Sequence, residues 1–375
     1  MSLTLAEKVR VTGRKFRPSS TKGDPDPQTN PVITKNERRV RGSLRQSLST
    51  VVATTITLCF AAHVHAEEPR RPTCIAPAQP GGGFDLTCRL AQGGLKESGQ
   101  LHRPMRIVYM PGGVGAVAYN TVVAQRPSDG GTIVAFSGGS LLNLSQGKFG
   151  RYSAHDVRWL AAIGADYGVA IVRDDSPYQN LGELMTALKK DPGSIVFGTG
   201  GTIGSQDWMK AALTARAAGV DYRKIRFVAF EGGGEGITAL RGNHIQAYMG
   251  DAAEAATMLE GGAPIRVLAV YHHERLPGRL KDTPTAKEQG YDIEWPIIRG
   301  FYVGPKVSDE DYRWWQAAFE KMLKSDGFIR LRKQQGLFPF ELEGEKLDAY
   351  VQERVQHYTE LATSFGLILP KSAHE

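Results

Sequence analysis

The sequence predicts an α/β protein folded into two lobes, and three observations carry that expectation. Short runs rich in Val and Ile alternate with helical stretches, the pattern of parallel sheets covered by helices. Five glycine-rich loops each follow such a run, and loops gathered at one edge of parallel sheets form a cleft. Two stretches, Gly164–Gly168 and Glu294–Gly300, read as bridges between lobes. A pair of crossovers of this kind is a hinge on which two lobes close around a ligand.

In chain order, Cys74–Ala78, Arg106–Met110 and Thr132–Phe136 read as strands, with helices at Phe84–Ser98 and Gly115–Ala124 between them. Trp159–Ile163 and Val169–Arg173 flank the first bridge as two further strands. Ser194–Gly198, Arg226–Phe230, Ile245–Met249 and Arg266–Val270 follow, separated by helices at Leu181–Lys189, Gln206–Ala218, Gly236–Gly242 and Ala252–Glu260. Arg299–Val303 leaves the second bridge for helices at Asp309–Lys324 and Lys346–Phe365. Ser308 is placed to cap the first of these, and Asp309, Glu310 and Asp311 favour the positive end of its dipole. The expected lobes are 67–165 with 297–375, and 166–296 between them.

Residues 1–66 read as a leader. Arg38, Arg39, Arg41 and Arg45 precede an apolar run from Val51 to Ala62, and Val64-His65-Ala66 supplies a small-x-small cleavage site. This is a secretory signal over about 38–66, cut near Ala66, which directs the product to the periplasm. The apolar run is about a dozen residues, short of the about 20 that a membrane span needs. Leu58 before Cys59 is too bulky for lipid-anchor processing, so the product is expected to be soluble. Residues 1 to about 40 read as either a long extension or translation from a misplaced start, the second being favoured.

Charge then has to be apportioned. The whole chain carries 46 Lys and Arg against 39 Asp and Glu, a formal +7. The leader holds 11 of the basic and 4 of the acidic residues, which leaves 35 of each in the exported part. A neutral chain without a clustered Lys/Arg stripe does not bind nucleic acid. Of three cysteines only Cys74 and Cys88 survive processing. In an oxidising compartment they are a candidate disulfide that staples the loop between them.

That loop is the most informative segment. A strand enters Gly81, Gly82 and Gly83 and passes directly into a helix, so that bare N–H groups and a helix dipole face one point. The amides of Gly81–Phe84 are expected to hold one carboxylate, and those around Gly112, Gly113 and Gly115 a second, with Ser137 and Ser140 as hydroxyl donors. Thr199, Gly200, Thr202, Gly204, Ser205 and the turn at Gly233 are the expected contribution of the other lobe. Asp85 either pairs with Arg89 one turn on or accepts from ligand hydroxyls, Asp251 faces the same choice, and Asp207 is expected to cap its helix. Arg299 is either a bidentate partner for a ligand carboxylate or one end of an ion pair between lobes. Trp208 and Trp295 are expected in core or hinge packing.

No cofactor, metal or catalytic group is expected. Gly113-Val-Gly115 with Ala118 loosely fits a dinucleotide fingerprint, yet Thr132–Phe136 ends without the acidic residue that would hold a ribose. The chain has neither a phosphate-binding Gly-x4-Gly-Lys loop nor a Gly-x-Ser-x-Gly elbow. His272 and His273 are adjacent, so their rings do not converge on one ion.

Several of these segments together carry a family resemblance. Pro80-Gly-Gly-Gly-Phe-Asp85, Pro111-Gly-Gly-Val-Gly115, Phe230-Glu-Gly-Gly-Gly-Glu235, Arg275-Leu-Pro-Gly278, Pro284-Thr-Ala-Lys-Glu-Gln-Gly290 and Trp295-Pro-Ile-Ile-Arg-Gly-Phe-Tyr-Val-Gly-Pro305 occur in collinear order. The chain resembles the extracytoplasmic solute-binding proteins of tripartite tricarboxylate transporters, most closely their tricarboxylate-binding branch. The resemblance implies a periplasmic-binding-protein type II fold that captures a citrate-like di- or tricarboxylate. It also implies delivery to the large and small membrane subunits of the transporter. A membrane sensor kinase is the alternative recipient of the closed, loaded form.

Overall fold

A computed structural model describes residues 67–368. The expected signal peptide and its cleavage site lie outside the described residues. The first half runs β1 (Thr73–Ala76), α1 (Gly83–Glu97), β2 (Arg106–Tyr109), α2 (Ala116–Gln125), β3 (Thr132–Ser137) and α3 (Gly138–Ser145). A long strand, β4 (Arg158–Arg173), leads into α4 (Leu181–Lys190), β5 (Val196–Gly200), α5 (Gln206–Ala217), β6 (Arg226–Phe230), α6 (Gly233–Arg241), β7 (Ala247–Asp251), α7 (Ala252–Glu260) and β8 (Ile265–Tyr271). The chain returns through β9 (Pro296–Val303) to α8 (Asp309–Leu323), α9 (Asp326–Gln334), β10 (Leu342–Glu343) and α10 (Gly344–Ser364).

These strands form two sheets that share β4. In the first, β1 lies between β2 and β3 and is parallel to both, β3 pairs antiparallel with β9, and β9 pairs antiparallel with β4 from Arg158 to Tyr167. In the second, β5 lies parallel between β6 and β7, and β4 from Gly168 onward pairs antiparallel with β7 and β8. The two sheets thus repeat one strand order, and each has its topological switch point at its innermost parallel strand, β1 or β5. Ligands of such sheets bind beyond the carboxyl ends of the strands at that point. Here those ends are Ala76 and Gly200, where the glycine loops begin.

The crossovers differ from the expectation in one respect. Trp159–Ile163 and Val169–Arg173 are one 16-residue strand, not two. Gly164 and Gly168 interrupt the Val/Ile pattern, but β9 pairs along the gap and holds it extended, with register shifts between Trp159 and Ala161 and between Ala162 and Gly164. Three short elements were not expected: α3, α9 and β10. α3 packs on α10 and α9 on α1, and β10 pairs with β4. At Gly94 of α1 a side chain would collide with Phe328 of α9 and Met322 of α8.

β1 is buried on both faces, as befits the centre of a parallel sheet. Cys74 on β1 and Cys88 on α1 are joined in a disulfide, with Cα atoms 5.8 Å apart and a sequence separation of 14. Both are fully buried. Replacing both by alanine is expected to lower unfolding stability by about 2–4 kcal/mol, as for a native bridge closing a loop of this length. Denaturant titration of the double variant checks this, and an unchanged midpoint would remove the bridge from the loop's support.

Candidate functional site

The glycine loops of the two sheets face one another across a cavity of about 130 Å³. One wall is built from Pro77, Ala78 and Gly82–Phe84 after β1, with Gly113 and Val114 after β2 and Ser137 at the end of β3. The other is built from Gly200–Thr202 after β5, Phe230–Gly233 after β6, and Asp251 and Glu254 at the β7–α7 junction. The walls touch at their rims. Gln79 N–H donates to the Glu231 carbonyl at 3.4 Å, Gln146 Nε2 donates to the Gly204 carbonyl at 2.7 Å, and Lys148 Nζ donates to the Ile203 carbonyl. Burial pushes the Lys148 ammonium down to about 8.

Two helix N-termini that start from glycine open on this cavity without a side-chain cap. α1 begins after Gly82 and α6 after Gly232, and neither residue has a side-chain oxygen to accept the first-turn N–H groups. The loops approach so closely that a Cβ on Gly82 would sit 3.3 Å from the Gly233 nitrogen. By contrast Ser137 caps α3 and Ser205 caps α5 with their side chains. The cavity therefore presents free amides from opposite lobes, each at the positive end of a helix.

The expected residues divide into two groups. Gly82, Gly83, Phe84, Gly113, Ser137, Gly200, Thr202, Gly233, Asp251 and Arg299 line the cavity. Gly81, Asp85, Gly112, Gly115, Ser140, Thr199, Gly204 and Ser205 stand behind it and build its walls. Asp85 accepts from Gly81 N–H, Arg89 Nε and Tyr109 Oη, each at 2.9 Å, so the Gly81 amide is satisfied within the loop. Gly112 and Gly115 have φ of 128° and 105°, which makes them turn residues that a side chain would strain. Ser140 Oγ accepts from Ser137 N–H at 3.3 Å, Thr199 Oγ1 donates to the Gly201 carbonyl at 2.9 Å, and Ser205 Oγ accepts from Trp208 N–H at 3.3 Å. Trp208 and Trp295 are buried, Trp208 edge-on to Tyr222 and Trp295 stacked on Tyr358.

Below the cavity runs a buried chain of charges. Arg299 Nη2 donates to Asp166 Oδ2 at 2.9 Å and to Asp251 Oδ2 at 2.6 Å. Lys210 Nζ lies 3.0 Å from Asp251 Oδ1 and 2.8 Å from Asp207 Oδ1, and donates to the Gly250 carbonyl at 2.6 Å. Asp207 is not the cap that was expected. Ser205 fills that position, and Asp207 in the first turn accepts from Gly200 N–H at 2.7 Å. Burial pushes the Asp251 carboxyl up, but the Lys210 and Arg299 charges outweigh it and hold Asp251 below its ordinary value. Burial, reinforced by Asp251 and Asp207, holds Glu254 well above its own.

Sequence reasoning missed Gln206, Tyr248 and Glu254 on the cavity wall and Asp166 and Lys210 beneath it. Asp166 carried no local signal, because it lies inside a strand and its partners Arg299 and Ala253 N–H are far along the chain. Lys210 had one: a lysine three residues after Asp207 lies on the same helix face and is a candidate partner for it.

Two α/β sheets joined through the long strands β4 and β9, with facing glycine loops at both switch points, are the architecture of a solute-binding protein. The chain belongs to the tripartite tricarboxylate transporter family receptors, whose family model matches residues 88–367. It is 26% identical over 325 residues to a UPF0065 protein of Bordetella pertussis, spanning 86% of this chain and 98% of that one. Among solved structures, MatC of Rhodopseudomonas palustris with bound malate shares 21% identity at a TM-score of 0.67, covering 78% of this chain and 98% of that one. Rpa4515 of R. palustris with adipate shares 19% identity at a TM-score of 0.69, covering 79% and 97%. These likenesses place the fold among periplasmic binding proteins.

Proposed function

We propose that the protein is a non-catalytic periplasmic receptor, freed of its leader near Ala66, that closes two lobes on one small carboxylate. It then delivers that ligand to the large and small membrane subunits of a tripartite tricarboxylate transporter. The lobes that move are 67–165 with 297–375, and 166–296. The observation that carries this reading is the pair of uncapped helix N-termini facing each other across the cleft at Gly82 and Gly233. Amides held in that way stabilise a carboxylate without a dedicated cation. The malate and adipate bound by the two structural relatives support the same ligand class. Within the expected range of di- and tricarboxylates, the acid-rich floor favours the smaller charge.

The test is thermal unfolding of the purified protein in a panel of mono-, di- and tricarboxylates. A ligand present at about 100 times its Kd adds about 2.7 kcal/mol to stability, a shift of several degrees in Tm. At least one acid is expected to give it. A panel with no shift at millimolar concentrations would overturn the carboxylate reading.

A further inference from the structure

Four carboxyl groups, Asp166, Asp207, Asp251 and Glu254, meet two cations, Arg299 and Lys210, at the floor of the cleft. Each cation already holds two carboxylates, Arg299 through Nη2 alone, with its Nε left without a partner. Lys148, on the cavity wall, is held by the opposite lobe's Ile203 carbonyl. A helix N-terminus offsets about half a charge, and two of them suit a single carboxylate better than two or three.

Glu254 stands apart from the rest of the floor. It is only 8% exposed, lines the cavity, and its Oε1 has no hydrogen-bond partner. The carboxyl group lies directly beneath Gly233, where any Cβ would overlap it. Gln206 Oε1, on the same cavity, is a second buried acceptor without a donor. Unanswered acceptors beside an excess of acid call for a donor with positive charge. The approach of Gly82 to Gly233 puts that donor only a few bonds from a carboxylate on the α1 amides.

Resting on the carboxylate-receptor reading, we propose that the ligand carries a cationic N–H donor close to its carboxylate, as an amino acid or related aminocarboxylate does. The ammonium sits on Glu254, and the carboxylate sits on the helix N-terminus at Gly82–Phe84. Binding then converts an isolated buried carboxyl into an ion pair.

Matched acids with and without an amino group test this in the wild-type protein by calorimetry: succinate against aspartate, adipate against 2-aminoadipate, butyrate against 4-aminobutyrate. At least one aminated member is expected to bind about tenfold or more tighter than its partner, the scale of one charged hydrogen bond. In Glu254→Gln, which keeps shape and removes charge, that preference disappears. The variant is expected to fold well. A carboxyl whose folded pKa is raised stabilises the protein fully below its ordinary pKa and loses that contribution as pH rises, so Gln is at least as stable at neutral pH and the gain vanishes in acid. Unaminated acids binding as tightly as or tighter than their partners, in wild type, would overturn the proposal while leaving the carboxylate receptor standing. A preference that survives in Glu254→Gln would overturn the role of Glu254. Binding of neither series, with no shift anywhere in the wider carboxylate panel, would overturn both readings.

Discussion

Arg299→Ala is expected to cost the protein about 3–5 kcal/mol of stability, the scale measured when one partner of a buried ion pair is removed. Arg299 is 2% exposed, and its Nη2 bridges Asp166 of β4 and Asp251 at the end of β7. Without it Asp166 keeps only backbone donors, the amides of Tyr167 and Ala253, and Asp251 keeps Lys210. Denaturant unfolding reads the loss directly. Adding Asp166→Asn to the variant removes one stranded charge and is expected to recover part of it, which a merely bulky cavity would not allow. A variant of full stability that had lost only ligand affinity would show that the guanidinium is reserved for the ligand.

Gly82→Val is expected to weaken ligand binding about a hundredfold while moving stability by no more than about 1 kcal/mol. The backbone at Gly82 is ordinary, with φ −101° and ψ −176°, so a side chain adds no strain there. Its Cβ would lie 3.3 Å from the Gly233 nitrogen and 3.9 Å from the Gly232 Cα, and the two methyl groups of valine would reach further into the opposite loop. The lobes are then held apart, and the population able to close falls. Calorimetry measures the affinity, and small-angle scattering the more open shape. Unchanged affinity would mean that closure does not bring these loops together. The neighbouring glycines differ in kind: Gly81 has φ +90° and resists a side chain by strain, whereas a Cβ on Gly83 would fall within 2.5 Å of the Arg299 guanidinium carbon.

Most of the architecture was legible along the chain, because strand and helix periodicity and the strand–glycine–helix loops are local. β6 and α7 have the bounds expected, and α5 ends one residue earlier. The break at Gly164–Gly168 was misread for the opposite reason: two glycines lower strand propensity locally, and pairing with β9 overrides them. The Asp85–Arg89 pair was an option because its members lie one helical turn apart. Whether it formed depended on Tyr109, 24 residues away, and on the Gly81 amide.

Local pattern was enough to predict two lobes, two bridges and a set of carboxylate-sized loops, since each rests on residues within a turn or a strand of one another. The electrostatic character of the floor was not. Arg299 meets its partners across 133 and 48 residues, and Glu254 lies under Gly233 because α6 and α7 both pack on β4 and β7. The glycine loops therefore point to a carboxylate site from sequence alone. Which charges that site has left to offer depends on long-range ion pairing, and folding had to bring those residues together before it could be read.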